Sequence, residues 1–553
     1  MRNNVLFLIL SIISGIARTS FQSAVDSSQF IAQIVNYGAN TISYEYFSST
    51  FNIQSIGGAL LLRLGVSELQ LSAIYSSIAI FLYLKTFYNL AYTTCESDKN
   101  ATQISIFLTL CCGIIYGFNY EVVIPPGQIT FGPFAIIYTC YVLSQMILDS
   151  KKDIYLPTCI LVHPFVGLYI NLAYFAYCIM KKVRLSRAYL TYTLPAIAFI
   201  FYTHQSKTDV VTLLSHSNEI LNLNLSKHRA SVFTFNNLAI FIISLLALAN
   251  EIYISKTNKK TVYSTIFILS FVSIALSLVY NLSNLNEFWQ LVYVSMPSRN
   301  LNILLIFVIP IIMARLTYNY VLYITTILLI SAFSFFSLLK VSHLSIAEGP
   351  HSYLPQIKFY IAVLASGTIY AIINRHTKSE ISIKHNIFID WLIGSLLIVT
   401  TVIYGSQFYE RTSFYKNDVA LLGAHNSKKT VLVAGSTGIA GEFMQSRIRN
   451  SIYFDTQLPS AFPYVSSDVK NEIENINKIY NHDFKDKERY RKVNQYCDDL
   501  SCAEVQKTFS QRTRQEWKAL LDENNFSGIL VPSTWYLNLN DCIDSKRWKF
   551  CKN

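Results

Sequence analysis

Three glycines in the last quarter of the chain have a spacing that can bind a dinucleotide. Gly435, Gly438 and Gly441 follow the apolar run TVLVA, and Asp455 ends the stretch SIYFD. In dinucleotide-binding folds such glycines bring the backbone to a pyrophosphate, and such an acid binds a ribose hydroxyl. Only about 100 residues follow Asp455, too few for a full doubly wound sheet. We therefore interpret the segment as the β-α-β start of a small α/β domain, with the glycines in a tight turn.

Four cysteines in the same region form two close pairs. They are Cys497 with Cys502, and Cys542 with Cys551. Close pairs in a soluble domain favour two local disulfides, which form in oxidising compartments. Four free thiols are the alternative. A zinc site is less favoured, because neither pair has the two-residue spacing usual for zinc ligands.

Other residue types that bind metals or act as nucleophiles do not form a known pattern. The loop HLSIAEGPH carries His343, Glu348 and His351, but Gly-Pro separates the histidines, so they do not share one helical face and we predict no metal site. The patterns HExxH, GxxxxGK[ST] and GxSxG do not occur. Their absence argues against a zinc protease, an ATP-driven transporter subunit and an α/β-hydrolase.

The elements that must position any site are mostly apolar. Of 553 residues, 52% are hydrophobic and 14% are charged, and the mean hydropathy is +0.34. Half of the charged residues lie from Glu410 onward, in about a quarter of the chain. We predict an α-helical polytopic membrane domain at 1–408 and a small soluble α/β domain at 409–553. The net charge of +12 is not arranged as a basic stripe with interleaved aromatics, so we do not expect nucleic acid as a partner.

Apolar runs near the length that spans a bilayer recur throughout the first domain. They lie at about 4–18, 70–92, 104–120, 130–148, 155–180, 188–203, 235–254, 261–282, 301–316, 319–340, 357–374 and 386–407.

Basic residues in short loops predict which side is cytoplasmic. The basic loops lie at 151–152, 181–187, 256–260 and 375–384. All four loops lie on the same side of the membrane only if the segment 155–180 enters and leaves the membrane on that side. It would do so as a hairpin broken at His163-Pro164, where proline disfavours helix. This hairpin gives about 13 membrane segments. It places the C-terminal domain and the long loops outside; the loops are 19–68, 204–234, 283–300 and 341–356.

In layout, the chain resembles the GT-C superfamily of membrane glycosyltransferases, which have many helices, a long first external loop and an external C-terminal domain. The tail resembles bacterial membrane proteins of this type in the stretches FMQSRIRNSIYFD, AFPY and FSQRTRQEWKALLDENNFSGILVPSTWYLNL. The resemblance implies an inner-membrane enzyme that takes a sugar from a polyprenyl-phosphate carrier. The acceptor would be a glycan, a lipid or a protein on the non-cytoplasmic face.

The resemblance also implies a carboxylate in the first external loop. It acts as the base on the acceptor hydroxyl, or it orients the acceptor or a divalent cation. A divalent cation is the one cofactor for which the sequence leaves the question open. The matching residue is Asp26, and the next acid in the loop is Glu45. A solvated loop residue or helix cap is the alternative for both.

The leaving phosphate needs cationic donors. External candidates are Arg299, His163, Lys227 and Arg229. His163 and Arg299 are favoured because ionisable residues at membrane depth are commonly functional; hydrogen-bonded structure is the alternative.

Two other functions remain open for the whole chain. A polymerase or ligase of surface polysaccharide also has many spans and external loops, although its large loop usually lies between late helices. A transporter or flippase predicts internal repeats and charges within the spans. In the tail, Trp517, Trp535 and Trp548 either stack on sugars or pack in the core, and core packing is favoured.

Overall fold

The computed structural model describes residues 2–19, 53–111, 131–203, 235–255, 257–282, 297–341, 354–373, 383–406, 418–425, 429–434, 469–481, 503–546 and 548–552, with residues 295, 408 and 453. This part of the chain is mostly helical and has a small sheet close to the C-terminus.

The helices before the sheet form a bundle with a common core. In chain order they are α1 (Arg2–Ala17), α2 (Ile53–Arg63), α3 (Glu68–Cys95), α4 (Asp98–Ile106), α5 (Phe131–Leu148), α6 (Thr158–Val162), α7 (Pro164–Lys181), α8 (Arg187–Thr203), α9 (Phe235–Ile254), α10 (Thr257–Leu282), α11 (Leu301–Leu316), α12 (Tyr320–Val341), α13 (Leu354–Ile373) and α14 (Ile383–Ser406). A π-helical turn at Phe107–Cys111 extends α4, and 3-10 turns lie at Ser150–Tyr155 and Pro297–Asn300.

Each apolar run predicted from the sequence coincides with helix, although the second half of 104–120 lies outside the described residues. Within the described part, four helical stretches are long and apolar enough to cross a membrane. These are Leu69–Cys95, Asn258–Leu278, Pro297–Leu316 and Ile387–Ser406. Shorter apolar helices lie at Asn3–Ala17, Gly132–Leu148, Leu238–Ile254, Tyr320–Ala332 and Ala362–Ile373.

Helix α11 is the centre of the bundle. Its sequence LNILLIFVIPIIMARL is apolar on every side, and 89% of the stretch Pro297–Leu316 is buried. A helix that is apolar all round must be covered all round. Helices α3, α5, α9, α10 and α13 provide this cover.

One end of the bundle carries the described basic loops, and we call it the basic end; it is formed by residues 149–155, 181–187 and 257–260. The Ser186 hydroxyl donates to Asp153 Oδ1 at 3.2 Å, which joins the first two loops. Tyr174 donates to the same carboxylate at 3.3 Å. Burial raises the pKa of the Asp153 carboxyl, and the hydrogen bonds from the two hydroxyls offset part of this rise because they favour the charged form.

The third basic loop and the starts of three other helices lie at the same end. The Tyr177 and Thr261 hydroxyls are 3.2 Å apart, which places the end of α7 beside the start of α10. The Lys259 ammonium donates to the Thr93 carbonyl, near the end of α3. Lys99 forms a 2.7 Å ion pair with Asp390 of α14. Asp98, next to Lys99, accepts a hydrogen bond from Asn3 of α1, so α1, α4 and α14 all begin at the basic end.

The break predicted at His163-Pro164 is present. Helix α6 ends before His163, and α7 begins at Pro164, where the missing proline N–H would have no partner anyway. Asn171 of α7 donates to the Leu156 carbonyl at 3.1 Å. The two helices therefore form an antiparallel hairpin that starts and finishes at the basic end. Gly167 permits their close contact, because a Cβ there would lie 2.3 Å from the backbone nitrogen of Ile160.

The C-terminal domain is a four-stranded sheet between helices. Its strands are β1 (Val431–Val433), β2 (Gly528–Pro532), β3 (Cys542–Asp544) and β4 (Trp548–Lys552), in the order β1-β2-β4-β3. Helix α15 (Val419–His425) covers one face, and α16 (Val469–Tyr480), α17 (Ala503–Gln511) and α18 (Arg514–Glu523) cover the other. Strand β2 is buried throughout, as its unbroken apolar sequence GILV predicts.

The predicted β-α-β start is described only at its first strand and at Tyr453. Strand β1 pairs in parallel with β2, with Val431 opposite Gly528. Of the predicted second strand SIYFD, only Tyr453 is described, and its N–H donates to the Val431 carbonyl at 3.0 Å, which places it beside β1. The glycines and Asp455 of the dinucleotide-like motif lie outside the described residues.

A disulfide joins Cys542 to Cys551, which are opposite one another on β3 and β4. The free-thiol and zinc alternatives therefore do not hold for this pair. Cys497 and Cys502 lie outside the described residues.

The hairpin contact gives a first prediction. Changing Gly167 to alanine pushes a methyl group into the backbone of α6 and should destabilise the protein by about 1–3 kcal/mol, the usual cost of overpacking. The thermal midpoint of the purified full-length protein should fall. Gly394→Ala in α14 is the matched control, because no atom lies within 4 Å of its added Cβ and alanine favours helix. Equal midpoints for the Gly167 variant and the wild type would contradict the contact.

Candidate functional site

The two predicted carboxylates, Asp26 and Glu45, lie outside the described residues, as do Lys227 and Arg229. So do His343, Glu348 and His351. Among the described side chains, no group of three or more His, Cys, Asp or Glu could hold a metal ion. The site can therefore be described through His163, Arg299 and the residues around them.

His163 lies at the tip of the α6–α7 hairpin, away from the basic end. It is the N-cap of α7, and its Nδ1 accepts a hydrogen bond from the Val166 N–H at 3.4 Å. Because Nδ1 is the acceptor, a neutral ring carries its proton on Nε2. The residue is 9% exposed. The structure thus gives His163 a structural role as the cap of α7.

Arg299 lies in the 3-10 turn that precedes α11 and is half-buried, whereas Pro297, Ser298 and Asn300 beside it are buried. This turn packs against α7 and α10. The Tyr169 hydroxyl, on α7, lies 2.8 Å from the Ser295 hydroxyl. The hairpin that carries His163 and the turn that carries Arg299 therefore meet at the end of the bundle opposite the basic end.

A third cation at this end was missed by the sequence reasoning. Arg18 directly follows α1 and is 2% exposed. Its guanidinium donates to the Leu110 carbonyl at 3.1 Å and lies 4.7 Å from the ring centroid of Tyr404 on α14. The sequence signal was present, because Arg18 ends an apolar run and cations at such depth are rare. Its burial depends on α4 and α14, which no local pattern reveals.

A small cavity of about 10 Å³ lies beside Arg18. Its lining combines the guanidinium with hydroxyl-bearing and apolar side chains: Ser14, Ala17, Arg18, Leu110, Leu397, Thr400, Thr401 and Tyr404. It has room for about one water molecule. As the lining side chains stand, it is too small for a phosphate or a sugar, and the feature that could act on an anion is the buried guanidinium itself.

The C-terminal domain contacts the same end of the bundle. Phe165, two residues after His163, packs against the core that contains Trp517 and Trp535. The rings of His163 and Phe165 are 6.4 Å apart. Helix α14 runs from the basic end to Tyr404 at the opposite end, so the chain leaves the bundle on the side where this domain lies.

The tail motif RTRQEW has a structural role in the described residues. Trp517 is fully buried, and the Arg512 guanidinium lies 4.9 Å from its ring. Arg512 also donates to the Ile479 carbonyl at the end of α16. Trp548 and Trp535 are buried as well. Core packing therefore accounts for the three tryptophans, and the sugar-stacking alternative is wrong.

The chain has no match among known protein families. No curated protein matches it either.

The cap at the hairpin tip gives a second prediction. His163→Ala removes the acceptor for the Val166 N–H and should lower stability by about 1 kcal/mol, the usual cost of a lost cap. His163→Asn should keep wild-type stability, because asparagine is a favoured N-cap. Thermal midpoints of the full-length variants test this. If asparagine destabilises the protein as much as alanine does, the histidine is held by contacts other than the cap.

Proposed function

We propose that the helix bundle spans a membrane with its basic end in the cytoplasm. The observation that supports this is the outer surface of the helices. It exposes large apolar side chains, among them Ile13, Leu172, Phe271, Ile398 and Val402. A soluble monomer rarely exposes apolar surface on this scale, and lipid would cover it. The basic loops then follow the positive-inside rule.

Aromatic residues support the same placement. Tyr92, Tyr155 and Tyr253 are exposed, and each lies near a helix terminus at the basic end. Tyrosine and tryptophan are enriched at the membrane–water interface, where the ring sits among lipid headgroups. In this placement about 13 segments lie in the membrane, counting the hairpin as two.

The opposite end would then face the non-cytoplasmic compartment, such as the periplasm of a bacterium. The Cys542–Cys551 disulfide supports this, because disulfides persist in oxidising compartments. The C-terminal domain that contains it lies at this end through the Phe165 contact.

We propose that the protein is a membrane glycosyltransferase of GT-C type. It would move a sugar from a polyprenyl-phosphate carrier to a glycan, lipid or protein acceptor on the non-cytoplasmic face. The single observation that supports the proposal is the buried guanidinium of Arg18, at the end of the bundle where the predicted catalytic loop begins. A preorganised cation in a site shielded from water stabilises charge far better than one in water.

In the proposed reaction, Asp26 removes the proton from the acceptor hydroxyl as its oxygen bonds to the anomeric carbon. The bond between that carbon and the phosphate oxygen breaks, and its electrons leave with the polyprenyl phosphate. The charge on the phosphate is met by Arg18, with Arg299 and His163 as further candidates. Asp26 lies eight positions after Arg18, so the base and the anion site come from neighbouring parts of the chain.

The third prediction tests this function. Membranes that contain the wild type should transfer radiolabel from at least one polyprenyl-phosphate sugar to an acceptor. Asp26→Asn should abolish the transfer, and Arg18→Gln should reduce it by 100-fold or more, about 2.7 kcal/mol of transition-state stabilisation. Arg18→Lys should also be impaired, because an ammonium does not reproduce the planar guanidinium at a stacked site.

The matched control is Arg63→Gln, which removes an exposed arginine at the end of α2 and should leave transfer unchanged. Protein levels and thermal midpoints are compared for every variant. Full transfer by a folded Arg18→Gln variant would exclude Arg18 from the reaction. The absence of transfer from every donor tested, by folded wild type, would contradict the glycosyltransferase.

A further inference from the structure

The most strongly charged surface of the described bundle lies at the basic end, where the two ends of the α6–α7 hairpin meet. We propose that this surface binds the phosphate headgroup of an anionic phospholipid. The inference uses the membrane placement of the proposed function but not the glycosyl transfer. We call the surface the hairpin patch; it comprises Lys181, Lys182, Arg184 and Arg187, with Lys151 and Lys152 beside them.

The patch is held together by one buried carboxylate. Asp153 lies in the 3-10 turn that enters the hairpin, and it accepts hydrogen bonds from Tyr174 and Ser186. Ser186 lies in the loop that leaves the hairpin and also accepts from the Tyr189 N–H at 3.0 Å, at the start of α8. These bonds bring residues 151–152 next to residues 181–187, which are about 30 positions apart in the sequence.

The charges in the patch do not cancel. Lys181, Lys182, Arg184 and Arg187 are exposed, and no acidic residue lies between positions 181 and 187. Two carboxylates lie nearby: Asp149 is exposed and caps the 3-10 turn through the Lys151 N–H, and Asp153 is buried. Six cations against two carboxylates leave a positive surface. Exposed cations at the surface of a bilayer attract anionic headgroups.

Apolar residues border the patch and favour a lipid over a soluble anion. Ile179 and Met180 are 62% and 69% exposed and directly precede the lysines. Val183 and Leu190 are also exposed. A free phosphate gains nothing from apolar surface, whereas the acyl chains of a phospholipid cover it while the headgroup reaches the cations.

The backbone conformation of Lys182 gives the centre of the hairpin patch a defined shape. Lys182 has φ 53°, in the left-handed region, where it ends α7. Its N–H bonds to the carbonyls of Cys178 and Ile179, which ends the helix without glycine. The turn of the chain at Lys182 therefore sets the positions of Lys181 before it and Arg184 after it.

The fourth prediction measures lipid association directly. Full-length protein is reconstituted into phosphatidylcholine bilayers that contain spin-labelled phosphatidylglycerol or, separately, spin-labelled phosphatidylcholine. Wild type should associate with the phosphatidylglycerol label more strongly than with the phosphatidylcholine label. The triple variant Lys181→Gln, Lys182→Asn, Arg184→Gln should lower that preference by about threefold or more. Asparagine is used at 182 because it tolerates the left-handed backbone.

A control variant removes the same charge elsewhere. Lys470→Gln, Arg514→Gln and Lys518→Gln change three exposed cations of the C-terminal domain, and this variant should keep the wild-type preference. Equal loss in both triple variants would overturn the proposal, because net charge rather than the patch would be responsible. So would an unchanged preference in the first variant, or no preference in the wild type.

Glycerol phosphate added at millimolar concentration distinguishes a soluble anion from a lipid. If it displaces the labelled lipid as effectively as unlabelled phosphatidylglycerol does, the patch is a general anion site and the proposal is wrong. Failure of the glycosyltransferase proposal leaves these results unchanged, since no sugar donor is present. If the protein does not float with the vesicles, the membrane placement and the lipid site are both overturned.

Discussion

The bundle depends on the burial of α11 on every side. An apolar helix without a polar face has no stable position at a water-exposed surface, so other helices must surround it. Charged residues then lie at both ends of this helix. The turn with Arg299 precedes its first residue, and Arg315 near its last residue forms a two-pronged ion pair with Glu251 of α9 at 3.0 and 3.1 Å. A pair buried this deeply tolerates little displacement, because a lone buried charge is far more costly than the pair.

Much of the helical part could be predicted from the sequence, because apolar runs and helices coincide. The hairpin was predicted by combining two weak signals, the distribution of basic loops and Pro164. Each alone permits other folds, and together they favour the hairpin. The disulfide between Cys542 and Cys551 was also predicted from the sequence, because the short spacing between the two cysteines favours a local pair. These features are local in sequence, and local patterns predict them for that reason.

The features that the sequence did not reveal are contacts between distant segments. Arg18 is buried because Leu110 and Tyr404 come to it from two other helices. The pairing of β1 with β2 depends on helices α16 to α18, which lie between them in the chain. For Trp517 the sequence favoured core packing but left sugar stacking open. In each case the role of the residue depends on whether it is buried, and burial is determined by contacts throughout the fold.

The sheet order has a consequence for how the C-terminal domain folds. Strands β3 and β4 are neighbours in sequence and in space, and β4 pairs with β2 only about 15 residues upstream. Strand β1 finds its partner almost 100 residues later, and closing so long a loop costs more chain entropy. The three later strands can therefore assemble quickly, whereas β1 joins last.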